Sequence, residues 1–467
     1  MNRPVDPAKL RAEAEPFVPP RPRSLGPLAA LTRAAWRRDG NLIALLPKQV
    51  YHRMAMTIGW SRRGIVILND PAVVRSILTD PTDIYPKNDL MTGALAPLVG
   101  DSVFVSSGDT WRQQRAMIAP AFTHMRLASA FAAMSGAVDD ARAGLDEAAR
   151  TGTAFSLDLA MSQLTADVIC RTVFSTSLAS DTAREVFTSF TAFERSVANV
   201  EIRRLIFDPP WKDVPQHDDV LAACRTIRTH LGALVDRHAA GAGRFRDIAA
   251  DVMAARDEHG RGFGRDELID QLGVFFLAGH ETTASALTWA IFALSQRADL
   301  RERLRAEVDA VAVRGALTLD DIRRLPFTTA VFKEAMRLYP PITFIPRVAA
   351  QDTRIAGRTL QRGTMVMIAP WVIHRHHALW REPDRFDPDR FLPGREGELT
   401  EGAYLPFGLG PRVCVGANFA TIEATLILAR LLRRYDWETL DAERVEPVAR
   451  LTTRPRHEMQ VRLRLRS

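Results

Sequence analysis

Residues 407–416 read Phe407-Gly408-Leu409-Gly410-Pro411-Arg412-Val413-Cys414-Val415-Gly416, and a helical pattern from Ala417 to Arg434 follows at once. Glycines on both sides let backbone amides approach the Cys414 sulfur, and the helix start sets a positive dipole end beside it. Both features favour a thiolate. An isolated glycine-flanked cysteine fits an inert turn equally well, so its companions along the chain decide the reading.

Upstream, Leu272 to Leu294 is the most apolar stretch, yet His280, Glu281, Thr282, Thr283, Ser285 and Thr288 interrupt it. It reads as a buried helix rather than a membrane span. From the Gly264-Arg265-Asp266 turn to Arg297 this helix is roughly 45 to 50 Å long at 1.5 Å per residue, enough to cross a domain. Alanine or leucine would serve a purely structural helix at 281 and 282, because a buried polar group has to find a partner. Glu334 and Arg337, three apart in the pattern Ala330 to Leu338, share a helix face, although such a pair alone usually lies on the surface. Trp111 and Arg115, four apart in Thr110 to Ala119, share a face as well and are donors only, which suits a carboxylate. Alone they would more often be a packed aromatic beside a solvated charge.

Further helical patterns run over Ala137 to Arg150, Leu159 to Phe174, Asp218 to His238 and Arg301 to Val311. Strand patterns occur at Ile65 to Leu68, Gly363 to Ile368 and Met459 to Leu465. Helix dominates, with a small sheet beside it. Residues 369–405 are rich in Pro, Asp, Arg and aromatics and long for a structureless loop, so side-chain contacts must hold them.

The chain of 467 residues has 46% hydrophobic and 25% charged residues, as a globular protein does. Its formal charge of +7 comes without a run of like charges, which argues against nucleic acid and for a basic patch facing an acidic protein partner. Three scattered cysteines indicate neither disulfides nor a zinc pair and suit a reducing, cytoplasmic setting. Cys170 and Cys224 read as packing residues. The proline-rich stretch 1–25 reads as a flexible N-terminal segment, and no signal peptide core or spanning run is seen.

Residues 407–416 match the haem-binding signature of the cytochrome P450 family at every specified position, and the chain is identified as resembling that family. Glu334-Ala335-Met336-Arg337 resembles its Glu-x-x-Arg motif, and Pro388-Asp389-Arg390-Phe391 the Pro-x-Arg-Phe motif that completes it. Pro383-Asp384-Arg385-Phe386 is a second match, but spacing to the cysteine loop and the following Phe391-Leu392-Pro393 favour Arg390. Trp111 and Arg115 resemble the family's propionate-gripping Trp-x-x-x-Arg, and Arg347, after Pro340-Pro341, its other propionate arginine. Ala278-Gly279-His280-Glu281-Thr282 resembles the oxygen-activation motif.

The resemblance implies a mainly α fold with a small β-sheet, a long central helix over a haem, and a single domain over 26–467. It implies haem b (iron protoporphyrin IX), with Cys414 as the axial iron ligand pushing electron density towards bound oxygen. Trp111, Arg115, Ala278, Arg347, Phe407, Arg412 and Gly416 would hold the cofactor, Arg412 pairing with a propionate. Glu281 and Thr282 would deliver protons for O–O cleavage while Gly279 leaves room above the iron, and Glu334, Arg337 and Arg390 would form a structural network. Phe275, Gly279, Ile342, Thr343, Phe344, Ile345 and Leu451 would line a pocket for an apolar small molecule such as a fatty acid or terpenoid. The His280-Glu281-Thr282-Thr283 form resembles branches acting on long-chain substrates.

Electrons from NAD(P)H would reach a monomeric enzyme through a separate ferredoxin or flavoprotein reductase, since little chain follows the last strand. The partner would dock on a basic face that includes Arg112, Arg126, Arg430, Arg433 and Arg434. His280 points away from Gly279 and Thr282 and is not read as an iron ligand. His374, Arg375, His376 and His377 read as a turn with capping and solvated histidines rather than zinc ligands. A peroxide-driven or isomerising haem protein would not need the Glu281–Thr282 pair, and a haem sensor would carry a signalling domain that is not visible. The segment from Val200 to Val214, with Leu205-Ile206-Phe207, Pro209, Pro210 and Trp211, is apolar enough for a lid, a membrane contact or a packed corner.

Overall fold

The computed structural model describes residues 17–23, 41–58, 64–197, 208–211, 214–241, 243–312 and 315–466, without the side chains of 124–126, 182 and 195–197. The helices used below are α1 (Pro71–Leu78), α2 (Asp89–Val99), α3 (Gly108–Ile118), α4 (His124–Thr151), α5 (Leu157–Phe174), α6 (Asp181–Val197), α7 (Asp218–Ala240), α8 (Ile248–Ala254), α9 (Arg265–Ser295), α10 (Ala298–Val311), α11 (Pro326–Leu338) and α12 (Ala417–Arg434). The strands are β1 (Ala55–Ile58), β2 (Ile65–Leu68), β3 (Phe155–Ser156), β4 (Ile345–Val348), β5 (Thr353–Ile355), β6 (Arg358–Leu360), β7 (Met365–Ile368), β8 (Tyr435–Thr439), β9 (Pro447–Ala449), β10 (Thr453–Pro455) and β11 (Gln460–Leu465). The fold is mainly helical with small sheets.

The largest sheet runs β1-β2-β7-β4, parallel only between β2 and β7 and antiparallel elsewhere. A second, β3-β11-β8, joins the chain's last strand to the start of α5. Helix α9 is the axis of the body. Its start is fixed by Glu267, whose carboxylate accepts from the Gly264 N–H at 2.7 Å. It is buried on nearly every face, as an all-round apolar sequence requires, and packs on α5, α7, α11, α2 and α12.

Local patterns placed several elements closely and missed others. Helix α4 begins 13 residues before the pattern read from Ala137, because Leu127, Phe131, Met134 and Val138 extend the same apolar stripe through an alanine-rich stretch. Helix α2 escapes periodicity because Gly93 and Pro97 interrupt it. Helix α6 buries Val186, Phe187, Phe190 and Phe193 at helical spacing, but threonine and serine between them depress its propensity.

Residues 369–405 are held by one buried arginine. The Arg337 guanidinium donates twice to Glu334, at 2.6 and 2.7 Å, and also to the carbonyls of His374 (2.8 Å), Pro383 (2.6 Å) and Arg385 (2.8 Å). Glu334 also accepts from the Asp387 N–H at 2.7 Å and has Arg390 Nε at 3.7 Å. The side chain of Arg385 turns to Glu382 instead. His374 and His376 are buried, which corrects the reading of solvated histidines. His374 Nδ1 donates to the Arg337 carbonyl and Nε2 accepts from the Leu405 N–H at 3.0 Å, so the ring clips the stretch at two points. Burial, with Arg337 beside it, lowers its pKa to about 3 and keeps it neutral.

Residues 17–23, within the stretch expected to be flexible, make contacts with the body of the fold. Phe17 packs edge-on against Phe292 and accepts from the Phe386 N–H, Pro20 accepts from the Tyr339 hydroxyl, and Arg21 pairs with Asp384 at 2.8 Å. Leu205, Ile206 and Phe207 lie outside the described residues. At the end of that segment Trp211 is exposed beneath Arg362, with Pro210 against Gly363.

Removing one partner of a buried ion pair strands the other, which costs about 3 to 5 kcal/mol. Glu334→Gln should lose stability of that order in urea denaturation, and Arg337→Lys nearly as much, because an ammonium cannot reach three carbonyls and a carboxylate together. Unchanged midpoints would show that the stretch is held by other contacts.

Candidate functional site

The loop before α12 is shaped by its glycines and by hydrogen bonds to its own backbone. Gly410 has φ +74°, and a Cβ there would lie 2.6 Å from the Leu78 carbonyl, so a side chain is excluded on both counts. The Cys414 N–H donates to the Phe407 carbonyl at 2.9 Å and the Val413 N–H to that of Gly410 at 3.0 Å. The exposed side chain of Cys414 turns into an internal cavity of about 900 Å³. Burial pushes the thiol above its ordinary range, while the Gly416 N–H and Arg115 pull it down without prevailing. Cys170 and Cys224 are buried away from this loop, their thiols pushed up to about 12 and about 11 mainly by burial.

Basic groups gather in the same cavity. Lys87, Arg115, Arg347 and Arg412 all line it, together with Trp111 and Phe407. Arg412 lies over the Trp111 ring at 4.2 Å and donates to the Ser106 carbonyl at 3.0 Å. Arg347 donates to its neighbour's carbonyl, and Lys87 to that of Phe104. Among the described residues, none of the four cations has an ion-pair partner. Burial, then Arg412 and Arg347, drives the Lys87 pKa down to about 6. Burial and Arg412 bring Arg347 to about 10, and burial brings Arg412 to about 10 with Arg112 adding to the effect. Uncompensated buried cations are costly, so the arrangement calls for an anionic ligand. A macrocycle with two carboxylates and a thiolate-seeking metal fits both the sulfur and the cations. Lys87 was not singled out from the sequence. It stands just before α2, and only the fold brings it to Arg347, whose backbone it pairs with in an isolated bridge.

Helix α9 supplies another wall. Ala278 is exposed on an otherwise buried helix because it faces this space, as do Phe275, Gly279 and Thr282. The Thr282 hydroxyl donates to the Ala278 carbonyl at 2.7 Å. Gly279 lines this space, and its missing side chain also serves packing. A Cβ there would lie 2.4 Å from Ile169 Cδ1, so the glycine lets α5 approach α9. Ile342, Thr343, Phe344 and Ile345, and Leu451 from the loop before β10, complete an apolar lining.

Glu281 does not line the cavity. Its Oε1 accepts from Arg454 Nε at 2.6 Å and from the Thr452 hydroxyl at 2.7 Å, and its Oε2 pairs with Arg454 Nη2. Burial favours its neutral form, but Arg454 outweighs this and holds the carboxyl below the usual range. His280 also lies off the cavity, among Phe187, Phe190 and Phe276. The presumed basic face is largely neutralised: Arg112 pairs with Asp109, Arg430 with Asp139, Arg433 with Asp309 and Arg434 with Asp146. The Arg126 side chain lies outside the described residues.

The model of the family described as Cytochrome P450 matches residues 22–462. Cyclooctat-9-en-7-ol 5-monooxygenase of Streptomyces melanosporofaciens is 32% identical over 438 residues, covering 92% of each chain. Pentalenene oxygenase of Streptomyces avermitilis is 28% identical, covering 85% of this chain and 86% of its own. The haem domain of cytochrome P450DA superposes with a TM-score of 0.79 at 21% identity, covering 96% of this chain and 97% of its own.

Lys87 gives a pH test of the cationic cluster. Between pH about 6 and 10.5 the unfolded lysine binds a proton that the folded one does not, so stability rises with pH across that window. In protein prepared without cofactor, Lys87→Met should be the more stable form near neutral pH and lose this part of the slope in urea titrations. Parallel slopes for both proteins would mean that Lys87 is not strained by its neighbours.

Proposed function

Because the chain belongs to the cytochrome P450 family and is therefore a haem-dependent monooxygenase, we propose that it inserts one atom of dioxygen into an apolar terpenoid or fatty-acid-like substrate, with Cys414 as the iron's axial ligand. The observation that carries this reading is a cavity in which a cysteine sulfur, four unpaired cations and an apolar wall meet. The haem is read as haem b, held without a covalent link. Arg115, Arg347, Arg412 and Lys87 would neutralise its propionates, with the Trp111 N–H as a further donor. Phe407 and Gly416 flank the sulfur, and Ala278 leaves the opposite approach open.

Bound there, the haem supplies the oxygen-splitting chemistry that no side chain can. The protein's own groups orient, exclude water and move protons. Thr282 holds a hydroxyl proton at Oγ1 in the cavity, and Glu281, the next residue on α9, is the acidic group nearest to it in sequence. With Glu281 held as a carboxylate by Arg454, its part is to accept and pass on a proton rather than to store one. The lining from Phe275, Ile342, Phe344, Ile345 and Leu451 favours a substrate with few polar groups. Relatives whose names specify an alkenol, pentalenene and an ultra-long-chain fatty acid support that class.

Electrons are proposed to come from NAD(P)H through a separate ferredoxin or flavoprotein reductase. Docking through Arg430, Arg433 and Arg434 would have to displace the carboxylates now paired with them, so those side chains are not part of the proposal. No helix among the described residues is long and apolar enough to cross a membrane.

Reduced holoprotein exposed to carbon monoxide should show a Soret band shifted far to the red, and Cys414→Ala should lose it. A band typical of histidine ligation in the wild type would remove Cys414 from the iron and overturn the reading.

A further inference from the structure

Behind the cavity wall, α9 carries a polar cluster of which the reading above uses only Glu281. Glu194 of α6 meets His280 and Glu281 there, and one ligand atom from each lies within 4.8 Å of the others. Arg454 of β10 binds both oxygens of Glu281 and donates to Ser162 of α5 at 2.7 Å. Thr452 donates to Glu281 from the loop before β10, and Asp158 of α5 adds a more distant negative charge near Arg454. Phe187, Phe190 and Phe276 close the site around His280.

Charge balance decides the protonation state. Arg454 and Glu281 cancel. The His280 Nδ1 is engaged with the Phe276 carbonyl at 2.7 Å, and burial keeps the ring neutral. A second carboxylate at Glu194 would have no cation of its own, so its carboxyl keeps a proton. Its Oε1 has no hydrogen-bond partner and lies 3.5 Å from His280 Nε2. Burial first, and then the Glu281 charge, raise the Glu194 pKa well above the usual range against the opposing charge of Arg454. Side-chain exposure is 13% for Glu194 but 6% for Glu281 and 1% for His280, so Glu194 is the least enclosed of the three.

We propose that Glu194 is the proton-uptake residue for Glu281 and Thr282: it is the least enclosed group of the cluster, lies beside Glu281, and feeds protons inward across the α6–α9 contact. This rests on the reading that Glu281 and Thr282 handle protons for the reaction. In the transfer the O–H bond of Glu194 breaks as one forms on Glu281. That carboxyl passes its proton to Thr282 Oγ1 as the O–H bond of the threonine breaks and its own proton leaves on the cavity side, and water reaching the less enclosed side reprotonates Glu194. No electrons move. Glu194 acts through Glu281 and touches neither cofactor nor substrate.

The same three groups have the spacing of a metal site, and His280 presents the tautomer a metal would need. Against that, Arg454 already donates to both oxygens of Glu281, and a divalent cation would have to sit beside a buried guanidinium. The proton is the better occupant.

Infrared spectra of the holoenzyme in H₂O and ²H₂O test the stored proton. Wild type should show the C=O stretch of a protonated carboxylic acid that Glu194→Gln loses, while buried Glu423 contributes another that stays. With a ferredoxin and its reductase driving oxygen consumption, Glu194→Gln should slow turnover roughly tenfold and enlarge the solvent hydrogen isotope effect. Glu194→Asp should recover part of the rate, which a merely structural role would not give. Should Glu281→Gln slow turnover while Glu194→Gln keeps the wild-type band, rate and isotope effect, the uptake role is wrong and the Glu281 reading survives. Should neither variant change the rate, the Glu281 reading itself is wrong. Stoichiometric Zn²⁺ uptake by wild type, absent in Glu194→Gln, would make this a metal site and overturn the proposal.

Discussion

The path of the chain leading to the Cys414 loop depends on one buried guanidinium. Arg337 is fully enclosed, and an arginine there is tolerable only if every N–H finds an acceptor. One carboxylate and three backbone carbonyls supply them, and those carbonyls belong to the irregular stretch between β7 and the cysteine loop. The pair thus turns its own need for partners into a constraint on chain path. His374 carries the constraint on by accepting from the Leu405 N–H, two residues before Phe407. Tyr404 adds a bond from its hydroxyl to the Lys333 carbonyl of α11. A stretch with little regular secondary structure is thereby fixed where a metal ligand needs sub-ångström placement.

The cavity has the opposite character. Its basic side chains are held close by the fold without acids to balance them, and their depressed pKa values record the cost. A site of this kind is finished by its ligand: an anion relieves the repulsion, and a cation on Cys414 relieves the buried sulfur. Stability and occupancy are consequently linked, since a ligand that binds only the folded chain stabilises it.

How much of this was legible in the sequence follows from what is local and what is not. Helix α9, the strand Ile65–Leu68 and the loop from Phe407 to Gly416 are set by residues close in the chain, and periodicity or glycine spacing reads them directly. Helix α2 was hidden by its own proline, and α6 by its hydroxyl-rich composition. Lys87 has no local signal, because the cations beside it, Arg347 and Arg412, are separated from it by hundreds of residues. Gly279 was noticed for its place in a motif, and only the fold shows that Ile169 packs against it as well. The charges at Arg430, Arg433 and Arg434 read as a basic face, yet each had a carboxylate waiting on another helix. Net charge in a sequence counts cations without their tertiary partners.

Helix α9 shows why one element can carry two chemistries. Consecutive residues on a helix are turned by about 100°, so Thr282 faces the cavity while Glu281 and His280 face α6 and β10. The helix is therefore a wall whose two sides differ in polarity, and the acid–hydroxyl neighbours in its sequence stand on different sides of it. An acid placed in the cavity would be one more buried charge close to the substrate, with no apolar lining left around it. Placed behind the wall, it is satisfied by Arg454 and Thr452. The pocket stays apolar and the proton-bearing groups stay out of the substrate's way. What this arrangement requires is a path around the helix from Glu281 to Thr282, because adjacent side chains are turned by about 100° and do not face each other.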